Sequence, residues 1–254
     1  MLEVENIYKS YKKQKNFFCS SHKQSVLQDV SFAVNSGECV GLVGESSSGK
    51  STLSRLILNL ERPDSGRILM EGQPIQKWLR THRGAVSVVF QDYTTSVNPR
   101  FTVEQIVAEP LKILHKPLSK DCIVNLLETV NISSGFMKRY PHELSGGQLQ
   151  RVCLARAIST TPRFIVLDEA LSSLDVSIQA QMLQLLKKLK QQMGITYLFI
   201  AHDLQTLTNL CDKVLFLYQG KIVEEAYSQN LYKVNHIYAK RLLESVLPFG
   251  ERWK

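Results

Sequence analysis

Long apolar runs and paired cysteines are both missing from this sequence of 254 residues. No stretch approaches the roughly 18 consecutive apolar residues that a membrane-spanning helix needs. The five cysteines are scattered and none forms a C-x-x-C pair, which favours free thiols over disulfides or a metal site. The first four residues have no signal-peptide character. These absences predict a cytosolic protein, or one that is peripheral to a membrane.

An excess of acidic residues is also absent. The chain has 31 lysines and arginines against 23 aspartates and glutamates, which gives a formal net charge of +8. A basic chain can bind nucleic acid, an anionic membrane surface or a nucleotide. The basic residues are dispersed, and we interpret their one local cluster as a solvated loop. That cluster consists of Lys9, Lys12, Lys13, Lys15 and Lys23.

Internal repeats and low-complexity segments are missing too, and the rest of the composition is that of an ordinary globular protein, with 44% hydrophobic and 21% charged residues. A chain of this length buries a large core, so we expect residues 1–254 to form one domain with subdomains, or two small domains. Four apolar runs lack polar alternation, which favours strands covered on both faces of a parallel sheet. They are residues 39–43, 86–90, 164–167 and 197–200.

Helical spacing dominates the region from residue 92 to about 157, which we interpret as a helical subdomain inserted into an α/β core. Its apolar residues recur at Val103, Ile106 and Val107, and again at Ile123, Leu126, Leu127 and Val130. A second stripe, from Ile178 to Leu189, predicts a long amphipathic helix.

The two ends of the chain carry strand and hairpin patterns. Residues 2–7 and 26–34 predict paired strands joined by a polar loop, residues 12–25. Residues 214–218 and 221–223 predict a hairpin around Gln219 and Gly220, and residues 235–246 predict a closing helix.

Residues 44–52, GESSSGKST, match the phosphate-binding loop pattern G-x-x-x-x-G-K-[ST]. The loop follows a buried strand and precedes a helical stripe that runs from Leu53 to Leu60, as the pattern requires. Small residues let backbone N–H groups surround a phosphate chain at the positive end of the helix. Lys50 is expected to reach the β- and γ-phosphates, and the Ser51 hydroxyl to bind Mg²⁺. The residues assigned to the nucleotide are Gly44, Glu45, Ser46, Ser47, Ser48, Gly49, Lys50, Ser51 and Thr52.

Two acids end the apolar run at residues 164–167. Asp168 at the strand end can hold Mg²⁺ through water, as in other phosphate-loop enzymes. Glu169 can then act as the general base that polarises the attacking water. Acids at a strand end are common, so the pair gains its meaning from the phosphate loop that precedes it.

A second glycine pair precedes a helix that starts near Leu149, in the sequence LSGGQ at residues 144–148. Two glycines beside a helix N-terminus form another anion site. Because one nucleotide needs only one phosphate cradle, a second cradle suggests two chains that face each other with ATP between them. The residues concerned are Ser145, Gly146, Gly147 and Gln148.

Together, this phosphate loop, the acid pair and LSGGQ resemble the ATP-binding cassette family of transport ATPases over nearly the whole chain. The resemblance implies a P-loop NTPase with a mostly parallel RecA-like core sheet, an N-terminal antiparallel β subdomain and the inserted helical subdomain. Gln91 matches the family's Q-loop glutamine, which contacts Mg²⁺ and the transmembrane coupling region. His202 matches the switch histidine at the γ-phosphate, and residues 172–175 (SSLD), which end at Asp175, match the D-loop. Tyr11 matches the aromatic residue that stacks on adenine, although Tyr8 or Phe17 could compete for that role.

Three further segments are similar to the peptide and nickel importer subgroup: FQD at 90–92, SVNPR at 96–100 and YPHE at 140–143. Three others are similar above all to its nickel-import ATP-binding subunits: QLQRVCLARA at 148–157, residues 185–190 and residues 199–204. Ser47 departs from the family, which usually has Gly there, and so do Ala170 and Leu171, which replace Pro-Thr or Pro-Ser. No cysteine follows Cys211, so the iron–sulfur centre of some peptide importers is not carried over.

The resemblance implies an ATP- and Mg²⁺-dependent ATPase at the cytoplasmic face of the cell membrane, where it is peripheral. Its implied partners are a second, different ATPase subunit, two permease subunits and an extracytoplasmic binding protein; in isolation a homodimer is possible. Nickel, a metal–chelator complex and short peptides all stay open as cargo. The alternative is a soluble cassette that acts on nucleic acid or ribosomes. The chain has neither the long coiled-coil insertion nor the second cassette of those proteins, so we expect no nucleic-acid partner.

Overall fold

The computed structural model describes residues 1–12, 23–172 and 174–246. Three residues named in the sequence analysis lie outside the described residues: Lys13, Lys15 and Phe17. The cysteine Cys19 and the D-loop residue Ser173 lie outside them too. Internal contacts divide the chain into two compact units. The first unit contains Met1–Trp78 and Leu198–Lys254, and the second contains Leu79–Tyr197.

Strands and helices alternate along most of the chain. The strands are β1 (Leu2–Lys12), β2 (Lys23–Val34), β3 (Cys39–Val43), β4 (Ser65–Met70), β5 (Gln73–Pro74), β6 (Val86–Val89), β7 (Phe164–Asp168), β8 (Thr196–Ala201), β9 (Lys213–Tyr218) and β10 (Lys221–Tyr227). The helices are α1 (Lys50–Ile57), α2 (Ile75–Thr81), α3 (Val103–Ile113), α4 (Lys120–Thr129), α5 (Gly146–Ile158), α6 (Val176–Met193), α7 (Leu204–Thr208) and α8 (Ile237–Val246).

The first unit contains an antiparallel sheet in the order β2-β1-β4-β5. Leu2 pairs with Val34 on one side and with Met70 on the other, and these three side chains are fully buried. The alternation that predicts this subdomain therefore marks its inner face. Both strands of the predicted pair are longer than expected, since β1 reaches Lys12 and β2 begins at Lys23.

In the first unit, β3 and β9 differ from the antiparallel sheet in their burial and in their pairing. Every residue of β3 is buried, which explains its uninterrupted apolar sequence. The strand pairs in parallel with β9 and lies beside β8, while β9 and β10 form the predicted antiparallel hairpin. Its turn places Gln219 at φ 49° and Gly220 at φ 79°, as a two-residue hairpin turn requires.

In the second unit, β6 pairs in parallel with β7, with Val86 opposite Phe164. Three helices, α3, α4 and α5, lie between these strands in the chain, and the structure describes no strand among residues 92–157. Thr102 and Gln105 form a capping box at the start of α3, and Ser119 caps α4. The assignment of residues 92–157 as a separate subdomain stays a prediction.

The long helix α6 has 18 residues and buries four of the predicted stripe residues, Met182, Leu185, Leu186 and Leu189. Polar residues cover its other face, as an amphipathic helix at a protein surface requires. Within the described residues, no helix is both long enough and apolar enough to cross a membrane.

Two sequence-based boundaries were wrong. Leu60 is 62% exposed, because α1 ends at Ile57 and Asn59 turns the backbone at φ 56°. Strand β6 ends at Val89, and the side chain of Phe90 is 37% exposed. The sequence analysis also did not identify α2, whose Trp78 is fully buried and donates its indole N–H to Glu71.

Candidate functional site: an ATP-binding cassette

The phosphate loop connects β3 to α1 in the first unit, and two of its glycines leave no space for a side chain. Gly49 stands at φ 110°, a backbone conformation that residues with a Cβ rarely adopt, and it precedes the first residue of the helix. At Gly44 an added Cβ would lie 2.4 Å from the carbonyl oxygen of Leu217 and 2.6 Å from the hydroxyl of Ser48. The loop is thus held against the end of β9 by direct backbone contact.

Lys50 is the buried cation of this loop, with a residue exposure of 5%. Its Nζ donates hydrogen bonds to the carbonyl oxygens of Gly44, at 2.7 Å, and of Glu45, at 3.0 Å. These contacts keep the ammonium group beside the loop, where a phosphate chain is expected.

Further atoms of the loop fit a nucleotide with its metal ion. The hydroxyl of Ser48 is buried and has no hydrogen-bond partner in the structure. Ser51 lies in the first turn of α1 and is exposed, so its hydroxyl can reach a ligand at the helix N-terminus. These groups suit the anionic and Mg²⁺-bound parts of Mg·ATP.

Ser47, where the resembling family usually has Gly, has φ 69°. The backbone there is left-handed, which is unfavourable for a residue with a Cβ. The departure from the family pattern therefore leaves the loop's conformation in place and adds local strain.

Tyr11 lies near the end of β1 and is half-buried. Its hydroxyl donates a hydrogen bond to Glu61, which also accepts a hydrogen bond from Arg55 of α1. The Tyr11 hydrogen bond, more than any other contact, holds the pKa of Glu61 below its usual value. These contacts link the predicted adenine-stacking residue to the helix that follows the phosphate loop, whereas the side chain of its competitor Tyr8 is 42% exposed. The role of Tyr11 in stacking stays a prediction.

The acid pair ends a strand in the second unit, as predicted. Asp168 is the last residue of β7, and Glu169 follows at φ 48°. A non-glycine residue in the left-handed region is uncommon and is often found at functional sites. The buried pair Ala170 and Leu171 replaces the family's usual residues without displacing the acid.

Gln91 follows β6 and lies near the residues after the acid pair. Its Nε2 is 3.5 Å from the hydroxyl of Ser172, which donates to the carbonyl oxygen of Glu169 at 2.9 Å. Asp92, the next residue, accepts hydrogen bonds from Thr94 and Thr95 and so fixes the turn that follows Gln91. These bonds, first among them that of the Thr94 hydroxyl, lower the pKa of Asp92 to about 2.

The LSGGQ segment forms the N-terminus of α5. Ser145 is the N-cap: its hydroxyl accepts from the N–H of Gln148, at 3.3 Å, and the Gln148 side chain accepts from the N–H of Ser145, at 2.9 Å. The sequence signal is a capping box, S-x-x-Q, which fixes the direction of the helix axis.

The two signature glycines have neighbours that the sequence analysis did not identify. A Cβ at Gly146 would lie 2.5 Å from the hydroxyl of Tyr93, and one at Gly147 would lie 2.9 Å from Ile178 of α6. Asp175 caps the same helix, with Oδ1 2.9 Å from the N–H of Ile178. The helix start therefore lies close to Tyr93 and to α6. The signature, Gln91 and Asp175 all belong to the second unit.

His202 follows β8 in the first unit and is exposed. The next residue, Asp203, caps α7 by accepting the N–H of Thr206 at 2.7 Å. The predicted site residues thus fall into two sets. The phosphate loop, Tyr11 and His202 belong to the first unit, and the remaining residues belong to the second.

The sequence profile of the ABC transporter family matches residues 27–172. The chain belongs to this family. It is 40% identical over 252 residues to a metal-staphylopine import system ATP-binding protein of Staphylococcus aureus (strain NCTC 8325 / PS 47), covering 98% of this chain and 100% of the relative. A nickel import ATP-binding protein of Rhodospirillum rubrum is 43% identical over 239 residues, or 90% of this chain and 85% of the relative. An oligopeptide transport ATP-binding protein of Haemophilus influenzae (strain Rd) is 39% identical over 259 residues, or 97% of this chain and 78% of the relative.

A solved structure has the same fold. It is a dimeric ATP-binding cassette in a post-hydrolysis state bound to ADP and phosphate, with a TM-score of 0.78 and 27% identity over 90% of this chain and 99% of that one. The comparisons confirm the family, the P-loop fold class, the ATPase of the importer class, and its ligands ATP and Mg²⁺. Nothing in them supports a cassette that acts on nucleic acid.

Proposed function

We propose that this ABC ATPase drives the import of nickel or a metal–chelator complex, with short peptides as the next candidate cargo. The observation that carries the proposal is a pair of glycine-containing helix N-termini in one chain, at α1 and at α5, each of which is suited to bind a phosphate group. One nucleotide uses one phosphate loop, so the signature serves a nucleotide held by another cassette. The relatives that match over most of their lengths, named for nickel, metal–staphylopine and oligopeptide transport, support the range of cargo.

The proposed chemistry divides the work among named residues. Lys50 and the loop amides bind the phosphates, and Tyr11 stacks on adenine. Ser51, Gln91 and Asp168 are the residues that would hold Mg²⁺, which would neutralise charge at the phosphates. Glu169 accepts a proton from the attacking water, and His202 contacts the γ-phosphate. The signature residues Ser145 to Gln148 and Asp175 of the D-loop act on the nucleotide across the interface between two cassettes.

The proposed assembly places this chain at the cytoplasmic face of the cell membrane, where it is peripheral. Its partner cassette is a homologous and different chain, although the isolated subunit can form a homodimer. Two permease subunits and an extracytoplasmic binding protein complete the importer. The relatives named as ATP-binding proteins of import support the assignment to an importer, and the rest of the composition follows from the family resemblance.

We assign the permease contact to a groove in the second unit. The groove has a volume of about 320 Å³ and is lined by residues of β6, α3 and α5. Ile113 at its wall is 70% exposed. Glu109 on the same helix lies 4.0 Å from Arg156, and both residues line the groove. An amphipathic permease helix with an apolar face fits this surface.

The groove assignment predicts the effect of a charge at its wall. Ile113→Asp should reduce cargo uptake by the assembled importer about tenfold or more, as expected for an interface residue worth about 2 kcal/mol. Binding of Mg·ATP to the purified subunit should not change. Leu60→Asp is the matched control, because Leu60 is a similarly exposed apolar residue of the other unit. Normal uptake by the Ile113 variant would exclude this groove as the contact.

The cargo is tested in cells that lack the gene. Uptake of labelled nickel, cobalt, their chelates and short peptides is measured with and without a plasmid that encodes the chain. We expect loss of metal or metal-chelate uptake and its recovery with the plasmid. Loss of peptide uptake alone would replace the metal with peptide. Unchanged uptake of all of them, with the protein sedimenting with ribosomes or DNA and not with membranes, would contradict the importer assignment.

A further inference from the structure

The C-terminal helix α8 contacts the phosphate loop directly. The hydroxyl of Tyr238, in the first turn of α8, accepts a hydrogen bond from the backbone N–H of Glu45, with 2.9 Å between the oxygen and the nitrogen. Glu45 is the second residue of the loop, and its carbonyl oxygen accepts from Lys50. One residue of the loop is therefore held on both sides, by α8 at its amide and by the phosphate-binding lysine at its carbonyl.

Tyr238 is itself fixed in place. Its side chain is buried, with a residue exposure of 6%, and its ring stacks on Tyr218 with 4.4 Å between the ring centroids. Tyr218 ends β9, directly after Leu217, whose carbonyl leaves no space at Gly44. The hydroxyl thus contacts Glu45, and the ring stack lies next to the residue that contacts Gly44.

The start of α8 is anchored to the first unit as well. A carboxylate oxygen of Glu224, on β10, accepts the backbone N–H groups of Asn235 and His236, at 3.0 and 2.8 Å. The backbone N–H of Tyr238 donates to Nδ1 of His236 at 3.2 Å. These contacts set the position of the Tyr238 hydroxyl before any nucleotide binds.

A cavity of about 190 Å³ lies beside this contact and is lined by Glu45, Tyr218, Tyr238 and Arg241, among others. Burial, the main cause, raises the pKa of Tyr238, so its phenol stays protonated near neutral pH. The hydroxyl is therefore a neutral acceptor for one amide of the loop.

We infer that Tyr238 is a positioning residue for the nucleotide: its hydroxyl holds the Glu45 amide, so that the C-terminal helix sets the conformation of the phosphate loop. The inference takes only its ligand, ATP, from the proposed function. Without the hydroxyl, the Glu45 amide loses its partner, and the loop must be ordered by the nucleotide itself. The free energy of ordering the loop then opposes nucleotide binding, so the affinity falls.

The test compares Tyr238→Phe with Tyr218→Phe in the full-length chain. Both variants lose one hydroxyl from the same ring stack, but the hydroxyl of Tyr218 accepts a hydrogen bond from the exposed side chain of Gln219, at 3.2 Å. Titration calorimetry measures the Kd for Mg·ATP and Mg·ADP, thermal melting measures the Tm, and steady-state kinetics measures KM and kcat.

Tyr238→Phe should weaken binding of Mg·ATP and Mg·ADP about three- to tenfold and raise KM to the same degree, as expected for one lost hydrogen bond. The kcat of Tyr238→Phe should stay within about twofold of the parent value. The affinity of the control, Tyr218→Phe, for both nucleotides should also stay within about twofold. Unchanged affinity in Tyr238→Phe, or an equal loss in both variants, would overturn the inference. A fall in Tm with unchanged affinity would also overturn it, since that result indicates a purely structural role. A parent chain that bound no ATP would contradict the proposed function itself. That result differs from an effect confined to the Tyr238 variant, so the two failures are distinguishable.

Discussion

At the scale of single residues, two residues of the candidate site adopt a left-handed backbone conformation. Ser47 has φ 69° in the phosphate loop, and Glu169 has φ 48° after the acid pair's strand. Such conformations cost of order 1–3 kcal/mol each and persist where the surrounding structure determines them. At Ser47 the strain has a simple remedy, because glycine adopts this conformation without a penalty.

We predict that Ser47→Gly keeps or improves the affinity for Mg·ATP. In the free energy of unfolding, the relief of strain is partly offset by the greater freedom of glycine in the unfolded chain, about 0.4–1 kcal/mol. The neighbouring Ser46 is the matched control, since its φ is not among the positive values. Ser46→Gly should therefore show only the unfolded-state loss in a denaturation experiment. A large loss of affinity in Ser47→Gly would instead reveal a contact made by the serine side chain.

At the scale of elements, α5 presents the signature serine as its N-cap, beside Tyr93 and the start of α6. We predict that Ser145→Arg blocks ATP turnover while the isolated chain still binds Mg·ATP. The bulky cation fills the space that a nucleotide held by another cassette must enter. The assays are ATPase rate and nucleotide affinity. Loss of nucleotide binding by the isolated chain would contradict a role across the interface.

The control for this prediction is another serine N-cap of the same unit. Ser119 accepts the N–H of Cys122 at 3.1 Å at the start of α4. Ser119→Arg removes a cap of the same kind, worth about 1 kcal/mol, and should leave turnover unchanged. A similar fall in turnover in both variants would assign the effect to helix stability and not to the signature.

Sequence patterns correctly predicted the elements whose apolar residues lie on buried faces. They failed to predict helix ends and short helices that tertiary contacts determine. The runs of β3 and β7 are uninterrupted because both faces are covered, so composition alone identifies them. Leu60 continues the periodicity of α1, but nothing in the periodicity marks the turn at Asn59 that exposes it. Short α2 buries only Ile75 and Trp78, which are too few to form a recognisable periodic pattern.

The same distinction holds for the candidate site. The phosphate loop, the capping box of the signature and the acid pair are local patterns, and each was found from the sequence. Tyr238 and Tyr93 act through contacts with residues 193 and 53 positions away in the chain, as their partners Glu45 and Gly146 show. No local pattern around Tyr238 or Tyr93 identifies those partners, so only the fold could reveal them.

At the scale of the whole molecule, the residues predicted to form the cassette's site are divided between its two units. The phosphate loop and His202 belong to one unit, and the acid pair, Gln91 and the signature belong to the other. The central claim is that this set hydrolyses ATP, with Glu169 as the general base. Glu169→Gln keeps the shape of the side chain and removes its charge and basicity, so it tests that claim with the least disturbance.

The decisive measurement is the ATPase rate of Glu169→Gln, together with its Mg·ATP affinity and its mass in size-exclusion chromatography. Turnover should fall by about 10²–10⁴-fold, the usual contribution of general-base catalysis, while binding is retained. With ATP present, the variant should elute as a closed pair of cassettes, alone or with its natural partner. Asp168→Asn should behave differently and lose Mg²⁺-dependent binding as well as turnover. Hydrolysis by Glu169→Gln at the parent rate would contradict the account.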